Sequence, residues 1–151
     1  MTHDSRFDSA WLKWGWAVRH AESLQTEIGR AAEDADRQPL ITTSSEYDSQ
    51  RHSIILTVAS IQPIPPTWGL RLGDVAHGFR NSLDHLAWAL VQRGQTHNLS
   101  AKQSRRVQFP IFMTRAEFNG SLKTNLPGVR LADIAKVRRC QPYHRGRVRL
   151  F

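Results

Sequence analysis

Six residues in one short stretch, His77, Arg80, Asn81, Asp84, His85 and Trp88, include the side-chain types that phosphoester chemistry uses. Imidazole as a residue type titrates near neutral pH and serves as a general base or acid. A guanidinium grips a phosphate and stabilises charge that develops on its oxygens. Given a ribose, such a pair takes the proton from a 2′-OH. The oxygen then attacks the adjacent phosphorus and leaves a 2′,3′-cyclic phosphate without a metal ion. Asn81 lies one helical turn before His85, where it can orient the imidazole or bind phosphate itself. Arg80 and His85 are five positions apart, hence about 140° apart around an ideal helix. They would flank a cleft rather than stack in line, and the length of the arginine lets both reach one phosphate.

Placing these side chains takes a helix, and the sequence supplies one. Apolar residues recur at Leu72, Val75, Ala76, Phe79, Leu83, Leu86, Ala87, Leu90 and Val91. Steps of three and four put them on one continuous stripe, which predicts a helix over about 68–95. Its other side gathers the six polar and aromatic residues. A helix with a purely structural role usually turns Lys and Glu to solvent; this one turns His, Arg, Asn, Asp and Trp.

Arg80 and His85, with Asn81 directly after the arginine, form an R-x4-H pattern. It resembles the ribonuclease motif of the HEPN superfamily, all-helical domains of toxins, abortive-infection systems and some CRISPR effectors. The longer string over 72–87, Leu-Gly-Asp-x-x-His-x-x-Arg-x-x-Leu-Asp-His-Leu-Ala, is similar to one in uncharacterised bacterial and phage-borne proteins. A second R-x4-H, Arg139 to His144, contains Pro142 and cannot form a helical pair. The resemblance implies Arg80, His85 and Asn81 as catalytic residues, with His77, Asp84 and Trp88 as a supporting binding face. It implies RNA as substrate and no cofactor. It also implies a homodimer in which two such helices face each other, and a protein antitoxin as partner in a bacterial defence or toxin system.

Two other readings use the same residues. Arg80 with Asp84 is an i,i+4 ion pair that stabilises a helix by roughly a few tenths of a kcal/mol. His85 and His77 then serve as boundary histidines and Trp88 as an interface or core residue, in a non-catalytic dimeric interaction protein. Alternatively, Asp74-x-x-His77 has the i,i+3 spacing of metal ligands in helical bundles, with His20, Glu22 and Glu27 as partners on the first helix. His77 and His85, about 12 Å apart along a helix, cannot share one ion. No second carboxylate–His pair occurs on another helix, so no metal site is expected.

Charge is unevenly spread. Residues 1–50 carry nine acids against five bases, and residues 51–151 carry four acids against sixteen bases. Seventeen of the 21 bases are Arg, the better phosphate ligand. A basic half of this kind points to a polyanion, with RNA, DNA or nucleotide ahead of a membrane, or simply to a solvated basic surface. A single cysteine, Cys140, excludes an intramolecular disulfide and a Cys-rich zinc site. The N-terminus lacks the apolar core of a signal peptide, and no apolar run approaches the ~20 residues of a membrane span. A soluble cytoplasmic protein without a membrane partner is the expectation.

The remaining chain reads as mainly α, a helical bundle with two long antiparallel helices and a small inserted β-hairpin. Asp4, Ser5 and Asp8 offer capping oxygens to a first helix of roughly 25–30 residues. Phe7, Trp11, Trp14, Val18, Ala21, Leu24, Ile28 and Ala31 predict its buried face. Trp11, Trp14 and Trp16 suggest base stacking, but core packing is the stronger expectation because two of them lie on that stripe. The β-branched runs after Pro39 and after His52 read as a hairpin at about 40–61, turning across 45–49. Pro63, Pro65 and Pro66 then stop regular structure. After Gly94 come a polar basic loop over 98–106, an extended run over 107–112, a short helix opened by the Thr114/Glu117 capping box, and a last helix over 131–139 behind Pro127-Gly128. The expected organisation is one domain over 1–139. Residues 140–151 form a basic tail, disordered, truncated or phosphate-binding.

Overall fold

The computed structural model describes residues 4–33, 41–94 and 98–144. The fold is mainly α with an inserted hairpin. Among the described residues the order is α1 (Asp8–Glu33), β1 (Ile41–Asp48), β2 (Ser53–Ile61), α2 (Pro66–Gly94), α3 (Ala101–Ser104), α4 (Arg115–Asn125) and α5 (Leu131–Arg139). Two compact units emerge, one joining residues up to Trp16 with those from His77 onward, the other spanning Ala17–Ala76. Both long helices contribute to each unit, and within each they run antiparallel. Arg93 lies over the Phe7 ring at 5.3 Å, and Trp14 meets Phe79 edge-on at 4.9 Å. In the other unit Glu27 accepts a 2.8 Å bond from Trp68 Nε1 and pairs with Arg71, whose Nη2 donates to Ser23 Oγ at 3.0 Å.

Local signals explain most boundaries. Asp4 caps a 3-10 turn, Ser5–Phe7, by accepting from the Arg6 amide, and α1 follows directly. Pro66 is the first residue of α2 rather than part of a break before it. Its fixed φ suits a first helical turn and its missing N–H would be unpaired there anyway. The loop expected over 98–106 contains α3, closed by a Ser100/Gln103 capping box. At α4 half of the expected box forms: the Thr114 hydroxyl accepts the Glu117 amide at 3.3 Å, while the Glu117 carboxylate accepts from that hydroxyl at 2.7 Å rather than from the Thr114 amide. Gly94, the last residue of α2, has room for no side chain, since a Cβ there would run into the Gly128 carbonyl, and Gly128 itself adopts φ 72°.

The hairpin turns four residues later than the sequence suggested. β1 continues to Asp48, whose carboxylate accepts from the Gln50 and Arg51 amides at 2.9 and 3.1 Å and tightens the turn over 49–52. Short polar side chains in β1 looked like a turn, but they alternate across a strand.

The core belongs to the first unit. Ala87, Leu90 and Val91 of α2 pack with Phe109, Phe118, Leu126, Val129 and Val137. It extends past Arg139: Gln141 is 1% exposed, donates from Nε2 to the carbonyls of Pro110 (2.8 Å) and Val137 (3.2 Å), and accepts from the Phe112 amide at 3.1 Å. Tyr143 meets Phe118 edge-on at 6.4 Å. The expected tail therefore begins no earlier than 145, and 145–151 lie outside the described residues.

Two expectations about burial fail. On α1 the buried positions are Ala10, Ala17 and Leu24, a seven-residue repeat, while Trp11 is 69% exposed and Trp14 45%. Small alanines carry the close contacts, and the bulky tryptophans lie beside them. Leu72 is likewise exposed on α2, so the apolar stripe there is covered chiefly at its C-terminal end.

Candidate functional site

Helix α2 carries all six residues singled out by their chemistry, and all six fall in the first unit. Arg80, Asn81, Asp84 and His85 are half-buried; His77 and Trp88 are exposed. Arg80 lies against Asp84 through both prongs of its fork, with Nε donating to Oδ2 at 3.2 Å and Nη2 reaching Oδ1 at 3.1 Å. Nη2 also approaches Gln108 Oε1 at 3.5 Å. Nη1 makes no hydrogen bond with a described residue.

Asp84 does more than the ion pair expected of it. Its Oδ1 accepts the Phe109 amide at 2.8 Å. Phe109 is a core residue, so the carboxylate ties the 107–112 segment to α2 and fixes where the Arg80 guanidinium sits. Sequence spacing shows the i,i+4 partner, but nothing local points to an amide 25 residues away. Gln108, the second acceptor for Arg80, was missed for the same reason.

The side chains of Asn81 and His85 make no hydrogen bond or ion pair with any described residue, nor do those of His77 and Trp88. Half-buried polar groups are ordinarily satisfied from within the protein or by water. The metal reading gains nothing: among the described residues no group of three His, Cys, Asp or Glu is placed to hold an ion. Glu27, one of its suggested ligands, is instead committed to Arg71 and Trp68.

Near the start of α1 and the middle of α2 an open apolar cavity of about 390 Å³ is lined by Phe7, Ala10, Trp11, Trp14, Leu83 and Leu86. The exposed tryptophans form one wall of it. At the other end of α2 a second charged pair has a different character. Asp133 is buried, accepts from Arg93 and has Lys136 Nζ at 3.6 Å. The Arg93 hydrogen bond, opposed by burial, holds its carboxyl below the ordinary carboxylate range.

A depressed folded pKa stabilises the protein above the unfolded value of about 3.9, and that contribution disappears as pH falls through the folded value. Asp133→Asn should therefore cost roughly 2–4 kcal/mol near neutral pH, since Arg93 loses its partner at a mostly buried site. The gap from wild type in urea melts should be constant from pH 7 to about 5 and close below about 4. A gap that persists unchanged into strong acid would show that the charge is not what stabilises the pair.

No family model, curated protein or solved structure matches this chain.

Proposed function

We propose that the polar side of α2 binds single-stranded RNA, and that Arg80 and His85 cleave it without a metal ion. The observation that supports this reading is an oriented guanidinium beside polar side chains that no described residue engages. Asp84, pinned by the Phe109 amide, holds Arg80 in place, while Asn81 and His85 are half-buried with no described partner. In this reading a phosphate meets Nη1 of Arg80, the group that Asp84 leaves available. His85 takes the 2′-OH proton, the 2′ oxygen bonds to phosphorus, and the bond to the 5′ oxygen breaks as that oxygen gains a proton from solvent. Asn81, one turn before His85, steadies the imidazole or the phosphate. A homodimer, and restraint by a protein antitoxin, follow from the resemblance and belong to the same proposal.

Bases need a surface of their own, and the exposed Trp11 and Trp14 offer aromatic faces in the same unit. Binding of single-stranded RNA should weaken steeply with salt as phosphate contacts displace counterions. Trp11→Ala should lower affinity roughly fivefold or more with little change in that salt slope. Fluorescence anisotropy of labelled RNA across a salt series measures both. Affinity that ignores salt would sink the RNA reading. Exposed apolar side chains on α1 and the hairpin favour a second reading, a non-catalytic interaction protein, which then takes its place.

A further inference from the structure

The register of the hairpin sorts its side chains by chemistry. Opposed pairs Tyr47/Ile54, Ser45/Leu56 and Thr43/Val58 share one face of the ribbon. The register shift between Thr42 and Thr43 leaves Ala59 unpaired and so returns Ile61, opposite Ile41, to that same face. Without the bulge Ile61 would point to the other side, where Thr42 and Ser60 join their hydroxyls. Six large apolar residues thus line one face: Ile41, Tyr47, Ile54, Leu56, Val58 and Ile61. All are between 55% and 73% exposed, so no described residue covers them.

We propose that this face is the seat of a second copy of the same chain, packed ribbon on ribbon about a two-fold axis. Three observations select that occupant. A lone two-stranded ribbon is marginal in water, so its cover must be permanent, and another copy is always at hand. Six such side chains at on the order of 100 Å² each, with their rim, approach the roughly 800 Å² per partner of a standard interface. Charge also favours self-association here. The chain carries +8, yet between 41 and 61 it has only Glu46 and Asp48 against Arg51, and the apolar face holds no ionisable group apart from the Tyr47 phenol. Two copies meeting at the hairpin meet through a segment outside the basic stretch that follows it, so their mutual repulsion there is small. A nucleic acid would find no cation on this face, and an anionic lipid surface no basic rim.

The test is the molar mass of the full chain by light scattering and sedimentation, without RNA; the ribonuclease reading also calls for a dimer, through α2, so the variants on the two faces of the hairpin carry the decision. Wild type should be a dimer. Leu56→Asp with Val58→Asp should weaken dimerisation by about tenfold or more while far-UV circular dichroism keeps its helical signal, and Thr57→Asp on the polar face should leave the dimer intact. In a Cys140→Ser background, Leu56→Cys should link copies through a bismaleimide spanning about the 10 Å between packed sheets, whereas Thr57→Cys should not. That pair of variants decides the matter even if the aspartates prevent folding. A wild-type monomer overturns the proposal, as does a dimer that ignores both aspartates or links equally from the two faces.

Discussion

His85→Ala lowers RNA cleavage by about 10²–10⁴-fold while leaving the unfolding midpoint close to wild type, if the imidazole is the base. The second half of that expectation follows from its surroundings: His85 is half-buried and makes no internal hydrogen bond, so its removal opens no network. Arg80→Lys should fail nearly as badly as Arg80→Ala. The guanidinium spends Nε and Nη2 on Asp84 and has Nη1 left for phosphate, whereas an ammonium cannot do both in one fixed orientation. Asp84→Asn is not a silent control, as the ion pair alone would make it. An amide oxygen can still accept the Phe109 N–H, but the charge that positions Arg80 is gone, so cleavage should fall while the fold survives. Products carrying cyclic phosphate, and a rate unchanged by chelators, belong to the same mechanism. Wild type and His85→Ala acting alike on a broad RNA panel would leave the interaction reading in possession of the site.

What was legible in the sequence was local. The last helix, 131–139, appears behind the Pro-Gly turn and α4 starts at its Thr114 cap, because those signals act within a few residues. The six residues on α2 share one helix because a period of 3.6 fixes directions along a known helix. Depth is another matter. The stripe containing Trp11 and Trp14 was genuinely apolar, yet Ala10 and Ala17 make the close approach, and only the partner element decides which side of a wide apolar face is buried. The bonds that give the candidate site its shape span 25 residues from Asp84 to Phe109, and the buried Arg93–Asp133 pair spans 40. No periodicity reports on contacts at that range. Gln141 was misjudged for a related reason: a glutamine amid bases reads as tail, and its burial depends on carbonyls supplied by Pro110 and Val137.

Phe118→Ala should cost about 3–5 kcal/mol of unfolding free energy, measured in urea, and Phe79→Ala clearly less, about 1–2 kcal/mol. Sequence alone would rank them the other way, since Phe79 stands mid-stripe on the longest helix and Phe118 on a short one. Phe118 is 0% exposed and sits among α2, α4 and α5, with Tyr143 at its edge and the Arg138 guanidinium 5.9 Å above its ring, so truncation leaves a cavity that several elements would have to collapse to fill. Phe79 is half-buried and loses mainly its contact with Trp14. A Phe118→Ala cost under about 1 kcal/mol would mean the core is not where the packing puts it. The same variant also bears on the site. Phe109 belongs to the cluster that Phe118 fills, and the Phe109 amide is what holds Asp84, which in turn orients Arg80. Loosening the core at Phe118 should therefore weaken RNA cleavage at temperatures where the protein is still folded, through a side chain that touches none of the reacting atoms.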